Sequence, residues 1–219
     1  PIASNELRVK CYVLTPALAD TQEEWTLVSS AIMKQTKFDG STGINRLKIL
    51  KKEIAQELDV QEYFDSCIDR GLYYCAGAPR RIVQLFRNKS QVLSEVRLSG
   101  DHEVLKDGLR LPHSFIEAGF QAMGSLFYTD NEETFMPYGI GQIDIFSELD
   151  ETGWLHISVI DRWEEKEAHV RTNIEWINQN GDIAVKVSGM HFKAKKLPAV
   201  GMLQQLCNKD PHARQQQLF

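Results

Sequence analysis

The stretch that decides the fold is residues 111–127, LPHSFIEAGFQAMGSLF. Pro112 suits the first turn of a helix, because the N–H that proline lacks has no partner there. Apolar side chains cover most of the helix circumference, and a helix that is apolar nearly all round is typically buried. Small residues such as Gly119 allow a sheet to wrap closely around it. The stretch therefore predicts one buried helix over residues 111–128.

Four polar residues interrupt this apolar surface: His113, Glu117, Gln121 and Ser125. They recur at every fourth position and so form one stripe along the helix. Burying Glu117 is costly unless the carboxyl is paired or takes part in chemistry. The residues alone leave two interpretations open. The stripe faces solvent at the edge of a sheet, or it lines a functional site.

Short β-rich runs surround this helix. Two precede it, as a hairpin, and four follow it; the runs are 81–87, 91–98, 140–146, 154–160, 169–177 and 182–194. Asn180-Gly181 joins the last two and is a strong hairpin signal. A change of apolar parity predicts a bulge at Ser188-Gly189. Because strands and helices do not alternate, the pattern predicts an α+β fold, an antiparallel sheet around one helix.

The N-terminal part reads as strands over 7–15 and 24–28. Two helical patterns follow within 44–69, the first through Leu58 and the second, a short one, through Tyr63, Phe64 and Cys67. The Gln-rich 199–219 reads as a polar linker or tail. The chain starts at Pro1 without Met, which suggests a piece of a longer polypeptide.

Composition narrows the function classes. A net charge of -5 argues against nucleic-acid binding. No apolar run is long enough to span a bilayer and no signal segment opens the chain, so neither membrane insertion nor secretion is expected. The four cysteines and six histidines lack metal-ligand spacing. These features favour a cytoplasmic protein with free thiols and no metal.

A family resemblance adds to this interpretation. Residues 112–121, PHSFIEAGFQ, resemble the H-P-x-L-L-D-x-x-x-Q segment of the dehydratase domains of modular polyketide synthases. In that family the segment opens the central helix of the second of two hotdog folds and carries the catalytic Asp. Upstream, residues 71–74 (GLYY), Pro79 and residues 85–87 (LFR) are similar to the family's G-L-x-Y-G-P-x-F…L-W-R stretch.

Further segments follow in the family's order: residues 135–143 (FMPYGIGQI), 187–192 (VSGMHF), 197–198 (LP) and, near the start, 24–27 (EWTL). The resemblance implies a double hotdog with a truncated first half. It divides the chain into a remnant of the first hotdog (1–43), an inter-hotdog helical linker (44–70), a complete second hotdog (71–198) and the tail (199–219).

The resemblance also implies roles for site residues. Glu117 stands at the position of the catalytic Asp, and Gln121 would orient it or hold the substrate hydroxyl. His113, Tyr74 and Ser125 are candidates for the substrate tunnel.

Two departures stand against ordinary dehydration. No segment matches the H-x-x-x-G-x-x-x-x-P stretch that supplies the family's catalytic base. Glu117 in place of Asp also moves the carboxyl by more than an ångström, and catalytic placement tolerates little such error.

Three functions remain open. The favoured one is a dehydratase-like domain without normal activity, of the kind found in β-branching modules, that holds an acyl chain or scaffolds its module. The second is an active dehydratase or enoyl isomerase whose catalytic His lies outside this chain. The third is a free-standing hotdog binding protein or thioesterase.

The resemblance implies no bound cofactor, because the acyl thioester arrives on the phosphopantetheine of an acyl carrier protein. Neighbouring domains such as the ketosynthase are expected partners, and a homodimer is left open. A basic run at Arg80, Arg81, Arg87 and Lys89 is either solvated or contacts the phosphopantetheine or the carrier protein.

Overall fold

The computed structural model describes residues 6–15, 24–34, 45–69, 80–98, 113–127, 133–164 and 168–196. The chain divides into two compact units, residues 1–39 and 40–219. In the first unit, strand β1 (Glu6–Thr15) pairs antiparallel with strand β2 (Glu24–Lys34). Both predicted N-terminal strands are therefore present, and β2 continues beyond the predicted 24–28.

The second unit begins with two short helices, α1 (Asn45–Glu53) and α2 (Val60–Asp69). The two predicted helical patterns are therefore present, but the three-residue strand β3 (Gln56–Leu58) separates them and contains Leu58, which the first pattern had included. Asp59 begins α2 as its N-cap, because its Oδ1 accepts the Glu62 N–H at 2.8 Å. On α2, Tyr63 and Phe64 are fully buried.

Six further strands complete one sheet with β3, and all neighbouring strands in it are antiparallel. Their bounds are β4 (Ile82–Arg87), β5 (Gln91–Arg97), β6 (Glu133–Ile145), β7 (Thr152–Glu164), β8 (Ala168–Ile177) and β9 (Ile183–Lys196). The order across the sheet is β3-β4-β5-β7-β8-β9-β6. The predicted antiparallel sheet is confirmed.

Helix α3 (His113–Met123) packs on one face of this sheet and continues as a 3-10 turn over Gly124–Phe127. Phe115 lies against Trp176 of β8, with ring centroids 5.9 Å apart. A Cβ added at Gly119 would lie 3.5 Å from Ile174 Cδ1, an ordinary van der Waals distance, so α3 is in contact with β8 here but the contact does not require glycine. The buried helix was predicted correctly, although its last turn is tighter than an α-helix.

The hairpin and the bulge in the last strand pair are also confirmed. Gly181 has a φ of 91°, which the β8–β9 turn requires, and Gly189 has a φ of 66°. Between Met190 and Val187 the register of β9 shifts against β8, and the Gly189 N–H donates to Asn173 Oδ1 at 3.0 Å.

The sheet has a core on each face. On the α3 face, the helix and α2 pack with strand residues such as Leu155, Ile157 and Trp176. Strand alternation turns the intervening side chains to the other face, where α1 covers a smaller cluster. That cluster consists of Leu50, Ile54, Leu93, Trp154 and Ile177. No helix within the described residues is both long enough and apolar enough to cross a membrane.

Candidate functional site

Glu117 and Gln121, predicted to act together, lie one turn apart on α3 and contact each other. Gln121 is fully buried. Its Nε2 donates to Glu117 Oε1 at 3.5 Å, and its Oε1 accepts the backbone N–H of Arg81 at 3.1 Å. The stripe thus faces the start of β4, where the amide of Gln121 joins the helix to the sheet.

Arg81 is the residue of this site that sequence reasoning misplaced. Its side chain is 3% exposed, and its Nε lies 3.7 Å from Oε2 of Glu117, whose side chain is 28% exposed. The solvated interpretation of the basic run is therefore wrong for Arg81, whereas contact of the run with the phosphopantetheine or the carrier protein stays a prediction. Arg80 is exposed, and its NH1 donates to Gln61 Oε1 at 2.7 Å.

Tyr63 of α2 contacts the same turn of α3 from another side. Its hydroxyl donates to the backbone carbonyl of Gln121 at 2.6 Å within the core. No sequence signal connected Tyr63 with Gln121, which lies 58 positions away.

Ser125, the last member of the stripe, is buried, and its hydroxyl donates to the Ala122 carbonyl at 2.7 Å. Arg87 donates through NH1 to the Ser125 carbonyl at 2.7 Å. A cation at this position complements the negative end of the helix dipole. The proposed place of Ser125 in a substrate tunnel stays a prediction.

The remaining two candidates cannot be placed in the site. Residue 113 begins α3, but its imidazole lies outside the described part of the chain, as does the whole of Tyr74. Their roles as tunnel residues stay predictions.

A second polar assembly lies on the opposite, α1 face of the sheet. Glu175 of β8 accepts hydrogen bonds on Oε2 from Arg46 of α1 and from His156 Nδ1, the latter at 3.2 Å. His156 Nε2 lies 3.2 Å from Gln91 Oε1, and Lys186 Nζ lies 3.9 Å from Glu175 Oε1. Sequence reasoning did not find this network, whose members come from four strands and a helix.

The charge of Glu175 is fixed by these neighbours. Burial raises the pKa of its carboxyl, but the hydrogen bond from His156 and the charges of Arg46, His156 and Lys186 outweigh burial. The pKa of Glu175 therefore lies below its ordinary value of 4.5. The network is a closed ion-pair cluster that fastens α1 to the sheet.

The histidines whose side chains are described also belong to the α1 face. His156, His169 and His191 alternate with residues of the α3 core, such as Ile157, Val170 and Phe192, along their strands. They therefore point away from Glu117. Within the described residues, no group of three or more His, Cys, Asp or Glu side chains could hold a metal ion.

The site thus combines an accessible carboxylate with a buried guanidinium and a buried amide. These groups can bind a polar ligand atom through hydrogen bonds. Among the described side chains, none with a basic nitrogen that could take up a proton lies beside Glu117 on this face.

Comparisons with solved structures place the fold. An inactive mutant of CurJ dehydratase, in complex with a compound, shares 18% sequence identity with this chain, and its structure matches with a TM-score of 0.69. The dehydratase domain from the CurF module of curacin polyketide synthase is 17% identical with a TM-score of 0.68. The dehydratase domain of RzxB from Pseudomonas fluorescens is 18% identical with a TM-score of 0.64.

The matches cover 86–88% of this chain, which spans only 65–69% of those structures. The hotdog fold implied by the resemblance is therefore confirmed. A search among curated proteins finds no significant match. The family model described as the polyketide synthase dehydratase N-terminal domain matches residues 45–197. That range includes α1, α3 and all seven strands of the sheet. The chain therefore belongs to the polyketide synthase dehydratase family.

Proposed function

We propose that this chain holds acyl thioesters presented by an acyl carrier protein within a polyketide synthase and does not catalyse ordinary dehydration. The observation that carries the proposal is the buried guanidinium of Arg81 beside Glu117. Dehydration needs a base as well as an acid, and the group that lies beside Glu117 is a guanidinium, which is always charged and cannot take up a proton.

Loss of water from a β-hydroxyacyl thioester needs a base at Cα and an acid for the leaving hydroxyl. An arginine side chain stays charged at any physiological pH. A buried charge is tolerated when an opposite charge lies beside it, and removing that partner costs free energy. Because it stays charged, Arg81 cannot supply the base, and among the described side chains no other basic nitrogen lies beside Glu117 on this face.

The arrangement of Gln121 and Glu117 supports a role in holding an acyl chain. Gln121 is engaged by the Arg81 N–H and by Glu117, so its amide has a fixed orientation. The carboxylate, at 28% exposure, is still reachable by a ligand. The reachable carboxylate, next to the fixed amide of Gln121, can accept a hydrogen bond from a hydroxyl or an amide of an acyl chain without transferring a proton.

The test is mass spectrometry of a carrier-bound β-hydroxyacyl chain after incubation with the protein. We expect the acyl chain to keep its water, both with the unmodified protein and with Glu117→Asp, since a shorter acid does not supply a base. We also expect the acyl-loaded carrier protein to bind more tightly than the same holo-carrier without an acyl chain. Loss of water that Glu117→Gln abolishes, or equal binding of both carriers, contradicts the proposal.

An active dehydratase or enoyl isomerase, with its histidine outside this chain, is the second candidate. The contact between Glu117 and Gln121 favours it, because the resemblance assigns these two residues to catalysis. Supplying the polypeptide encoded upstream of Pro1 in the same assay separates the two. Under this alternative, water is lost only when that polypeptide is present.

A further inference from the structure

We infer that the outer face of α1 is a docking surface for an acidic protein partner. That partner is the acyl carrier protein of the proposed function, on which this inference rests, and its acidic surface makes the contact. We call this surface the α1 basic face. It consists of the exposed residues Lys48, Ile49, Lys51 and Lys52. Lys48, Ile49 and Lys52 lie on the outer side of the helix, whereas Lys51 lies at its margin, with Nζ over the ring of Trp154 on the sheet.

The first observation is the concentration of positive charge. The sequence of α1 is NRLKILKKE, so four of its nine residues are basic and one is acidic. The whole protein has a net charge of -5. Lys48 and Lys52 are one turn apart, and like charges at this spacing destabilise a helix. The α1 basic face therefore differs in charge from the protein as a whole.

The second observation is that these charges are not neutralised within the fold. Arg46 pairs with Glu175, Arg80 with Asp65 and Arg171 with Asp161. In the same described part of the chain, no ion pair joins Lys48, Lys51 or Lys52 to a carboxylate. Their ammonium groups are therefore available to the carboxylates of another molecule.

The third observation is that α1 is held rigidly although it is short. A helix of this length is marginal on its own. Leu50 and Ile54 are buried in the core of the α1 face, and Arg46 joins the Glu175 network. Lys51 Nζ also lies 3.8 Å from the centre of the Trp154 ring. The lysines are thus presented on a fixed surface, so that less side-chain and backbone entropy is lost on binding.

The shape and polarity of the α1 basic face suit the binding of a helix from a partner protein. An open depression of about 410 Å³ is lined by Leu47 and the three lysines. Ile49 is 52% exposed and provides an apolar contact next to the charges. A helix with Asp and Glu one turn apart and an apolar residue between them would match this surface. Charge complementarity of this kind chiefly raises association rates and specificity.

The experiment measures binding of a holo-acyl carrier protein to the full chain by fluorescence anisotropy, at low and at high salt. The test variant is the double reversal Lys48→Glu and Lys52→Glu, which spares the residue stacked on Trp154. The matched control, Lys10→Glu with Arg97→Glu, makes the same change of net charge at two exposed positions on other elements. Thermal unfolding confirms that both variants are folded.

We expect the test variant to weaken binding at least about tenfold and the control less than about twofold, with the difference reduced at high salt. Equal weakening by both variants overturns the inference while leaving the proposed function intact. Absence of any binding of the carrier protein overturns both this inference and the proposed function. Tighter binding to anionic lipid vesicles or to DNA than to the carrier protein overturns the choice of partner. The dehydration assay tests only the proposed function, because the binding assay described here measures no reaction.

Discussion

On the α1 face of the sheet, the Glu175 side chain is 10% exposed and meets Arg46, His156 and Lys186. On the α3 face, the Glu117 side chain is 28% exposed and lies beside Arg81 and Gln121 at 3.7 and 3.5 Å. The first carboxylate is enclosed by partners, and the second leaves part of its surface open. The difference shows which assembly fastens the fold and which can take a ligand.

The largest effect is expected where the carboxylate is enclosed. Glu175→Gln leaves Arg46, His156 and Lys186 without their shared negative charge, and we expect the free energy of unfolding to fall by about 3 kcal/mol. Urea denaturation measures this loss. The control Glu57→Gln changes an exposed residue and should cost less than about 0.5 kcal/mol. Equal stability of the two variants would show that the network contributes little.

The pH dependence of the same variant gives a second, independent measurement. Because the folded-state pKa of Glu175 is below 4.5, its carboxylate contributes stability above that value. This contribution is lost as pH falls through the folded-state pKa. We therefore expect the stability difference between the unmodified protein and Glu175→Gln to be full near about pH 7 and to shrink toward about pH 3. A difference that grows on acidification would contradict the direction of the pKa shift.

A smaller effect is expected in the more open assembly. A double-mutant cycle with Arg81→Met and Glu117→Gln should give a coupling energy of about 1.5 kcal/mol, between values for surface and for buried ion pairs. Each single variant leaves a charge without this partner, whereas the double variant removes both charges. Strict additivity of the two single effects would show that the pair does not interact and would remove the main support for the holding role.

The smallest expected effect belongs to the hydrogen bond that joins α2 to α3. Tyr63→Phe removes the donor to the Gln121 carbonyl and should cost about 1 kcal/mol. Tyr138→Phe is the matched control, because its hydroxyl lies at an exposed site, 3.3 Å from His169 Nδ1. If both variants unfold at the same denaturant concentration, Tyr63 does not help to position α3.

Features set by neighbouring residues were predictable from the sequence. The nearly continuous apolar surface of residues 113–123 indicated a buried helix, and the four-residue spacing placed Glu117 next to Gln121. Asn180-Gly181 fixed a hairpin, and the parity change at Ser188-Gly189 fixed a bulge. Each of these signals lies within one element or one turn, where periodicity and glycine conformations determine the structure.

Features set by distant residues were not predictable. Arg81 stands in a run of basic residues that locally resembles a solvated surface, and only the packing of β4 against α3 buries it. Arg46 and Glu175 are 129 positions apart and meet because α1 covers the outer face of the sheet. Strand β3 also shortens the first helical pattern, because its residues 56–58 pair with β4.

The contact between Arg81 and Glu117 also constrains how this domain can evolve. Losing Arg81 first takes away the cation that lies 3.7 Å from the Glu117 carboxylate. Replacing Glu117 first takes that negative charge away from a buried guanidinium. In either order of substitution, the single-substitution intermediate is expected to be less stable than the starting protein. A lineage with this pair is therefore expected to change the two positions together or to keep both.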